Sequence, residues 1–308
     1  MKGSIFTLIV LLSMVCMHGF AQGNNYDNDY DDAPQRAFGH WDLGLNFGMH
    51  WAAKYHAGFY DGSPKNVNNV NYVFNNPYWR KDIMRDLNVA DTFYLGELPE
   101  NMRYTGAFQI GMYFRKTFDN YTGLSLQFDY TKLTASDVFT LIIDPQSAIG
   151  QEPDIRIYNI WGIEDRINID ILFSKYFKIK SPTLLPFFES GFNINSTRVK
   201  ENKISIEGVD YSLVDVYLNG SYTPNSPQNT YYVQQGGIGW GVSAAVGLKM
   251  IFSDYVSIDP GFRVYYQTIN LERYQNFGLS YSIFVRLSLS DFFGGSSESN
   301  YNNVDEEY

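Results

Sequence analysis

The sequence predicts an all-β fold: an eight-stranded antiparallel up-and-down transmembrane β-barrel with long extracellular loops, ten strands being the alternative. Three observations predict it. Apolar and polar residues alternate with period 2 in eight separate segments, as strands with two unlike faces require. The links between these segments alternate between long and short, as in a meander whose two ends differ. The polar faces carry five acids and four bases, too many for the interior of a soluble sandwich or lipocalin-like barrel.

The 308 residues include 25 Tyr, 23 Phe and 5 Trp, and the net charge is −10. An acidic chain without Lys/Arg clusters does not suit nucleic acid. Residues 1–21 stand apart. Lys2 precedes a mostly apolar run, 5–15, and Gly19-Phe20-Ala21 puts small residues at −3 and −1 before Gln22. This reads as a signal peptide, too short to span a bilayer. Cys16 lacks the small residue a lipobox needs before it. Cleavage removes Lys2 and the lone Cys, leaving −11 and no thiol for disulfide, nucleophilic or metal chemistry. Residues 22–37 read as an acidic flexible arm. Within it Asp27, Asp29 and Asp31 resemble the start of a calcium loop, but the sixth position is not Gly and the twelfth is Phe38.

The barrel is expected over 38–292. Its first strand, 41–51 (WDLGLNFGMHW), sets Trp41, Leu43, Leu45, Phe47, Met49 and Trp51 against Asp42, Gly44, Asn46, Gly48 and His50. Segments 106–115 (GAFQIGMYFR) and 123–131 (GLSLQFDYT) follow, with Arg115 and Asp129 on their polar sides. In 166–174 (RINIDILFS) Asp170 opposes three Ile, and in 187–196 (FFESGFNINS) Glu189 opposes Phe188, Phe192 and Ile194. Segment 240–252 (WGVSAAVGLKMIF) has an unbroken apolar row against a small-residue side bearing Lys249. Segment 256–267 (VSIDPGFRVYYQ) puts Asp259 and Arg263 on the polar side, and 277–290 (FGLSYSIFVRLSLS) puts Arg286 there among serines.

Links 55–102, 133–165 and 198–238 are long, whereas 117–121, 177–186 and 253–255 are short; 269–276 is brief where a long one is expected. Long links are assigned to the extracellular end, which makes both termini periplasmic, including an acidic tail over 293–308. Strands of about 9–14 residues suit a tilted membrane crossing. Trp41, Trp51, Tyr130, Trp240 and Tyr266 end the apolar rows, as rings at headgroup level do. The apolar rows are therefore expected to meet lipid, with a charge network of Asp42, Arg115, Asp129, Asp170, Glu189, Lys249, Asp259, Arg263 and Arg286 inside the lumen.

In the first long link, 75–88 (NNPYWRKDIMRDLN) reads as a helix capped by Asn76 with Pro77 in its first turn. Its apolar stripe of Trp79, Ile83 and Leu87 either packs over the barrel mouth or docks a partner. Two alternating runs within 203–222 form either a hairpin above the membrane or two further strands. No nucleophile elbow, zinc-binding helix motif or P-loop occurs. His50 shares a face with Asp42, but eight strand residues separate them by roughly 26 Å, so they cannot pair. No catalytic residue, cofactor or metal is expected.

A signal peptide ending in Ala-Gln, eight amphipathic strands and an aromatic-rich last strand resemble small outer-membrane β-barrels of the OmpA/OmpX-like superfamily. The Ala-Gln ending and the many Asn and Tyr are similar to barrels of Bacteroidota, whose PorT- and PorG-type members serve type IX secretion. Phe292-Phe293 is followed by 15 residues, a departure from barrels ending on an aromatic. The resemblance implies an outer-membrane structural or interaction protein, with lipid around it and envelope partners at its loops or acidic tail. The alternative is a small pore or transporter, which would need ten or more strands or gaps left by the inward Gly44, Gly48, Gly111, Gly241, Gly247 and Gly261.

Overall fold

A computed structural model describes residues 41–89, 93–118, 121–143, 152–181, 183–214, 235–253 and 255–290. The expected signal peptide, acidic arm and acidic tail lie outside the described residues. The strands are β1 (Trp41–Trp51), β2 (Phe93–Leu95), β3 (Ala107–Phe118), β4 (Thr122–Ile143), β5 (Asp154–Tyr176), β6 (Leu184–Ile206), β7 (Val209–Ser212), β8 (Gln235–Ile251), β9 (Val256–Gln267) and β10 (Gly278–Ser290). The helices are α1 (Lys54–Ala57), α2 (Asn71–Phe74) and α3 (Pro77–Asp86), with one 3-10 turn at Gly58–Tyr60.

Eight strands close a ring in the order β4, β3, β1, β10, β9, β8, β6, β5 and back to β4, every pair antiparallel. β2 and β7 are short additions, paired to the upper parts of β4 and β6. Closure leaves the spanning strands without unpaired edges, which hydrocarbon would penalise. Side chains alternate across the wall with period 2. On β10, Leu279, Tyr281, Ile283, Val285, Leu287 and Leu289 point outward, each 41–54% exposed, while Arg286 and Ser288 are fully enclosed.

Three strands are about twice as long as the sequence suggests: β4 has 22 residues, and β5 and β6 have 23 each. At ~3.3 Å per residue and a tilt of ~45° such strands rise about 50 Å, twice an apolar band of ~25 Å. They therefore form a half-wall, or crown, on one side of the barrel. On β4 and β6 its pattern is inverted, whereas β5 keeps Glu164 and Arg166 inside and Ile155 and Ile157 outside. Within the band β4 turns Leu124, Leu126 and Phe128 outward and Ser125, Gln127 and Asp129 inward. Above Tyr130 it turns Lys132, Thr134 and Ser136 outward and Leu133, Ala135, Phe139 and Leu141 inward. Strict parity persists while the preferred solvent changes, so the alternation loses its apolar-out sign and the strand reads as a loop. A bulge at Lys200, where Ile163 pairs with Glu201 and Glu164 with Val199, resets β6 so that Ile204 and Ile206 also face inward.

The crown needs filling, and the first long link fills it. Asn76 caps α3 by accepting from the backbone N–H of Tyr78 and Trp79. Trp79, Ile83 and Leu87 are buried in one apolar cluster with Phe139, Leu141, Ile160, Ile204 and Tyr211. Of the two roles for this stripe, partner docking is thus corrected to packing: the face is covered by the protein's own crown. The runs expected within 203–222 begin as a hairpin above the band. Glu207 and Gly208 have φ of 48° and 80°, the left-handed pair of a tight two-residue turn, and lead into β7. The second run lies mostly outside the described residues.

Candidate functional site

The lumen is the site. All nine side chains expected there are enclosed, none more than 4% exposed. They form two tiers. Toward the ends of β1 and β10 nearest the termini, Arg115 Nη2 lies 2.8 Å from Asp42 Oδ2 and 3.2 Å from Asp259 Oδ2, and Lys249 Nζ lies 3.3 Å from Asp42. At mid-lumen Arg286 donates from Nη1 to Glu189 Oε1 at 2.7 Å and from Nη2 to Oε2 at 2.5 Å. Arg263 donates to Asp170 at 3.2 Å and to the same Glu189 oxygen at 3.1 Å, with Asp129 at 3.8 Å. Gln127 Oε1 accepts from both guanidiniums at 3.0 Å, and its amide donates to Asp129. Bidentate, charge-assisted bonds of this kind hold enclosed ions that isolation would make prohibitive.

Aromatic rings occupy the spaces left by three of the six inward glycines, Gly44, Gly247 and Gly261. A Cβ on Gly44 would lie 2.1 Å from the Tyr113 ring, and one on Gly261 would lie 2.4 Å from Phe284. Phe187 covers Gly247 in the same way. The rings then stack on the cations: the Arg286 guanidinium lies 4.6 Å from Phe284 and 5.0 Å from Tyr113, and Arg115 lies 5.2 Å from Tyr113 and Tyr176. Tyr113 Oη is also 2.5 Å from Ser288, whose hydroxyl donates to Asp259 at 3.4 Å, so the tiers are joined. At these three glycines the expected gaps are small-against-large packing, while Gly48, Gly111 and Gly241 lie close against neighbouring strands.

A third charged pair, Glu164 with Arg166, lies at the lumen's upper end. It escaped the sequence reading because 164–165 fell in an expected loop. Extending the inward parity of Asn168 and Asp170 backward by four residues finds both. Glu164 Oε2 accepts from Tyr60 at 2.6 Å and Tyr104 at 2.9 Å, two side chains of the covering segments. Burial, then the neighbouring Glu164 charge, pushes both phenols well above their ordinary range, so they remain donors. These segments form a lid. Tyr274 of the brief last link donates to Gly58 O at 2.8 Å, and Ala57, Phe59, Ile269 and Leu271 share one buried cluster. His56 Nε2 is 3.1 Å from Asn276 O, and burial together with Arg166 lowers its pKa to about 4.

His50 lies edge-on to Tyr265 at 5.6 Å, while Asp42 is held by Arg115 and Lys249 at the other end of β1. Among the described residues no three His, Cys, Asp or Glu converge as metal ligands.

No protein-family model and no curated protein matches the chain. Solved structures do. Neisserial surface protein A is similar with a TM-score of 0.40 and 10% identity, over 81% of this chain and 96% of that one. OprG, an outer membrane protein from Pseudomonas aeruginosa, gives 0.34 and 10% over 83% and 96%. The N-terminal β-barrel domain of OprF from the same organism gives 0.31 and 8% over 82% and 98%. The fold is of the outer-membrane β-barrel type. Its closed ring and outward apolar wall stand on this chain's own residues.

Proposed function

We propose that this chain is a sealed, non-enzymatic outer-membrane barrel that serves the envelope as a structural and interaction component. The observation carrying this reading is the mid-lumen tier. Arg263, Arg286, Asp170 and Glu189 are fully enclosed, and rings occupy the spaces between them. Eight strands enclose a bore that side chains just fill. The nine lumen charges act as its plug. The crown rises into the extracellular space and both termini are periplasmic, so loops and acidic tail are the contacts open to envelope partners. Membership in a secretion complex is a finer reading, supported by the resemblance of the leader and the Asn/Tyr-rich composition to PorT- and PorG-type barrels.

Planar bilayers test the plug: the purified full chain is expected to give no reproducible conductance, and steady channels would replace this reading with a pore. Affinity purification from envelopes tests the complex. Co-isolated periplasmic or lipoprotein components are expected, and a barrel recovered alone removes the secretion reading.

A further inference from the structure

The inversion of β4 and β6 marks the upper edge of the apolar wall, and one row of side chains on the outer surface lies at that edge. In register, Tyr130 on β4 faces Ile167 on β5, which faces Ser196 on β6. Two residues higher, Lys132 faces Asp165, which faces Arg198. Lys200, the bulged residue, adds its Nζ 3.2 Å from Asp165 Oδ2. Tyr130 donates to Asp165 Oδ1 at 2.8 Å. Three exposed cations thus neighbour one carboxylate in the strand register, Lys200 in ion-pair contact with it, on the outside of a chain whose net charge is −10.

Neighbouring charges are already balanced: Lys203 pairs with Glu201 at 3.2 Å, and Trp161 donates to the same carboxylate. Among the described residues Lys132 and Arg198 have no ion-pair partner of their own within reach, and Asp165 is committed to Tyr130 and Lys200. A local charge near +2 therefore remains at headgroup height. Directly below it the wall is apolar, with Phe128, Ile167 and Ile194 exposed by 37–44%. A cationic shelf over an apolar wall matches one class of ligand, a lipid whose headgroup carries a phosphate monoester of charge about −1.5 to −2.

We propose that Lys132, Arg198 and Lys200 bind the phosphate of an outer-leaflet lipid headgroup, its acyl chains lying against the outer face of β4 to β6. Asp165, fixed by Tyr130, positions Lys200, and Lys132 and Arg198 flank it in register with their charges left to meet phosphate oxygens. The proposal rests on the membrane-barrel reading, and the experiment separates the two.

The full chain in neutral detergent is titrated with phosphatidic acid and, separately, with phosphatidylcholine, and bound lipid is counted by native mass spectrometry. Each cation near an anionic surface strengthens attachment roughly fivefold. The variant Lys132→Ala/Arg198→Ala/Lys200→Ala is therefore expected to bind phosphatidic acid at least about tenfold more weakly. A charge-matched variant at exposed sites away from the shelf, Lys65→Ala/Lys81→Ala/Arg103→Ala, is expected to bind as wild type does. Heat-modifiable migration checks that all three proteins are closed barrels. Equal weakening in both variants, or none in the first, overturns the proposal. Competition by 10 mM inorganic phosphate that abolishes binding would assign the shelf to free phosphate and likewise overturn it. A chain that stays soluble without detergent and binds neither lipid would instead overturn the membrane reading.

Discussion

Replacing Glu189 by Gln keeps the side chain's shape and removes its charge, so it isolates the electrostatic function of the mid-lumen tier. Glu189 accepts three bonds from guanidinium nitrogens, two from Arg286 and one from Arg263. Among the described residues it is the only carboxylate in ion-pair contact with Arg286. Arg263 retains Asp170 at 3.2 Å, but Arg286 is left fully enclosed with Gln127 and three ring faces. Breaking a buried pair by removing one partner costs about 3–5 kcal/mol, because the surviving ion remains desolvated. A loss of that size is expected for Glu189→Gln in urea unfolding from lipid vesicles, followed by Trp fluorescence.

The double variant Glu189→Leu/Arg286→Met removes both charges and is expected to be more stable than Glu189→Gln, since matched apolar replacement of a pair is often neutral. Glu189→Leu and Arg286→Met alone complete a double-mutant cycle, in which the coupling should exceed about 2 kcal/mol. A loss below about 1 kcal/mol for Glu189→Gln, or additive single costs in the cycle, refutes a lumen held by paired charge.

Three further outcomes are expected. Val285→Arg puts a cation at mid-height on the outer wall and should cost about 2–4 kcal/mol in lipid; a neutral effect in the same unfolding assay counts against lipid contact. Tyr60→Phe or Tyr104→Phe deletes one bond to the Glu164 carboxylate, worth about 1.5–3 kcal/mol, and should speed hydrogen exchange over 53–60 without shifting global unfolding. His56 stays neutral in the fold down to about pH 4 against an ordinary 6.5, so the opened lid binds the extra proton between those values. Lid stability should hold above pH 6.5 and fall by about 3 kcal/mol as pH drops through that window, then level off. Exchange over 53–60 measured against pH checks this, and His56→Gln should flatten the profile.

The ring and its inside face were legible because a strand's parity is local. Once Trp41 is outward, Asp42 is inward, and the same count carries Arg115, Asp129 and Arg286 into the lumen. Which charges meet was not legible, because pairing depends on register between distant segments. Asp42 meets Lys249 across 207 residues, and no local pattern encodes that distance. The Tyr113 ring over Gly44 depends on register in the same way, since the two are partners on adjacent strands. The Glu164–Arg166 pair was hidden because Glu164 fell in an expected loop, and α3's stripe was visible while the crown wall that covers it was not.

The inversion of β4 and β6 is the strongest sign that one wall meets two solvents. A soluble barrel keeps apolar residues inside along its whole height, because water surrounds all of it. Here β4 exposes Leu126 and Phe128 while enclosing Asp129, then within a few residues exposes Lys132 and encloses Leu133. β6 changes near the same level, from Phe192 and Ile194 outward to Arg198 and Lys200 outward with Ile204 and Ile206 inside. β5 instead keeps Glu164 and Arg166 inside and Ile155 and Ile157 outside. Two strands changing together define a boundary, and hydrocarbon below it with water above gives both halves of β4 and β6 their favoured side chains. Above the boundary the half-wall has a dry inner face that would be exposed by itself. Trp79, Ile83 and Phe74 of the first long link cover that face, so the link's length follows from the crown's height.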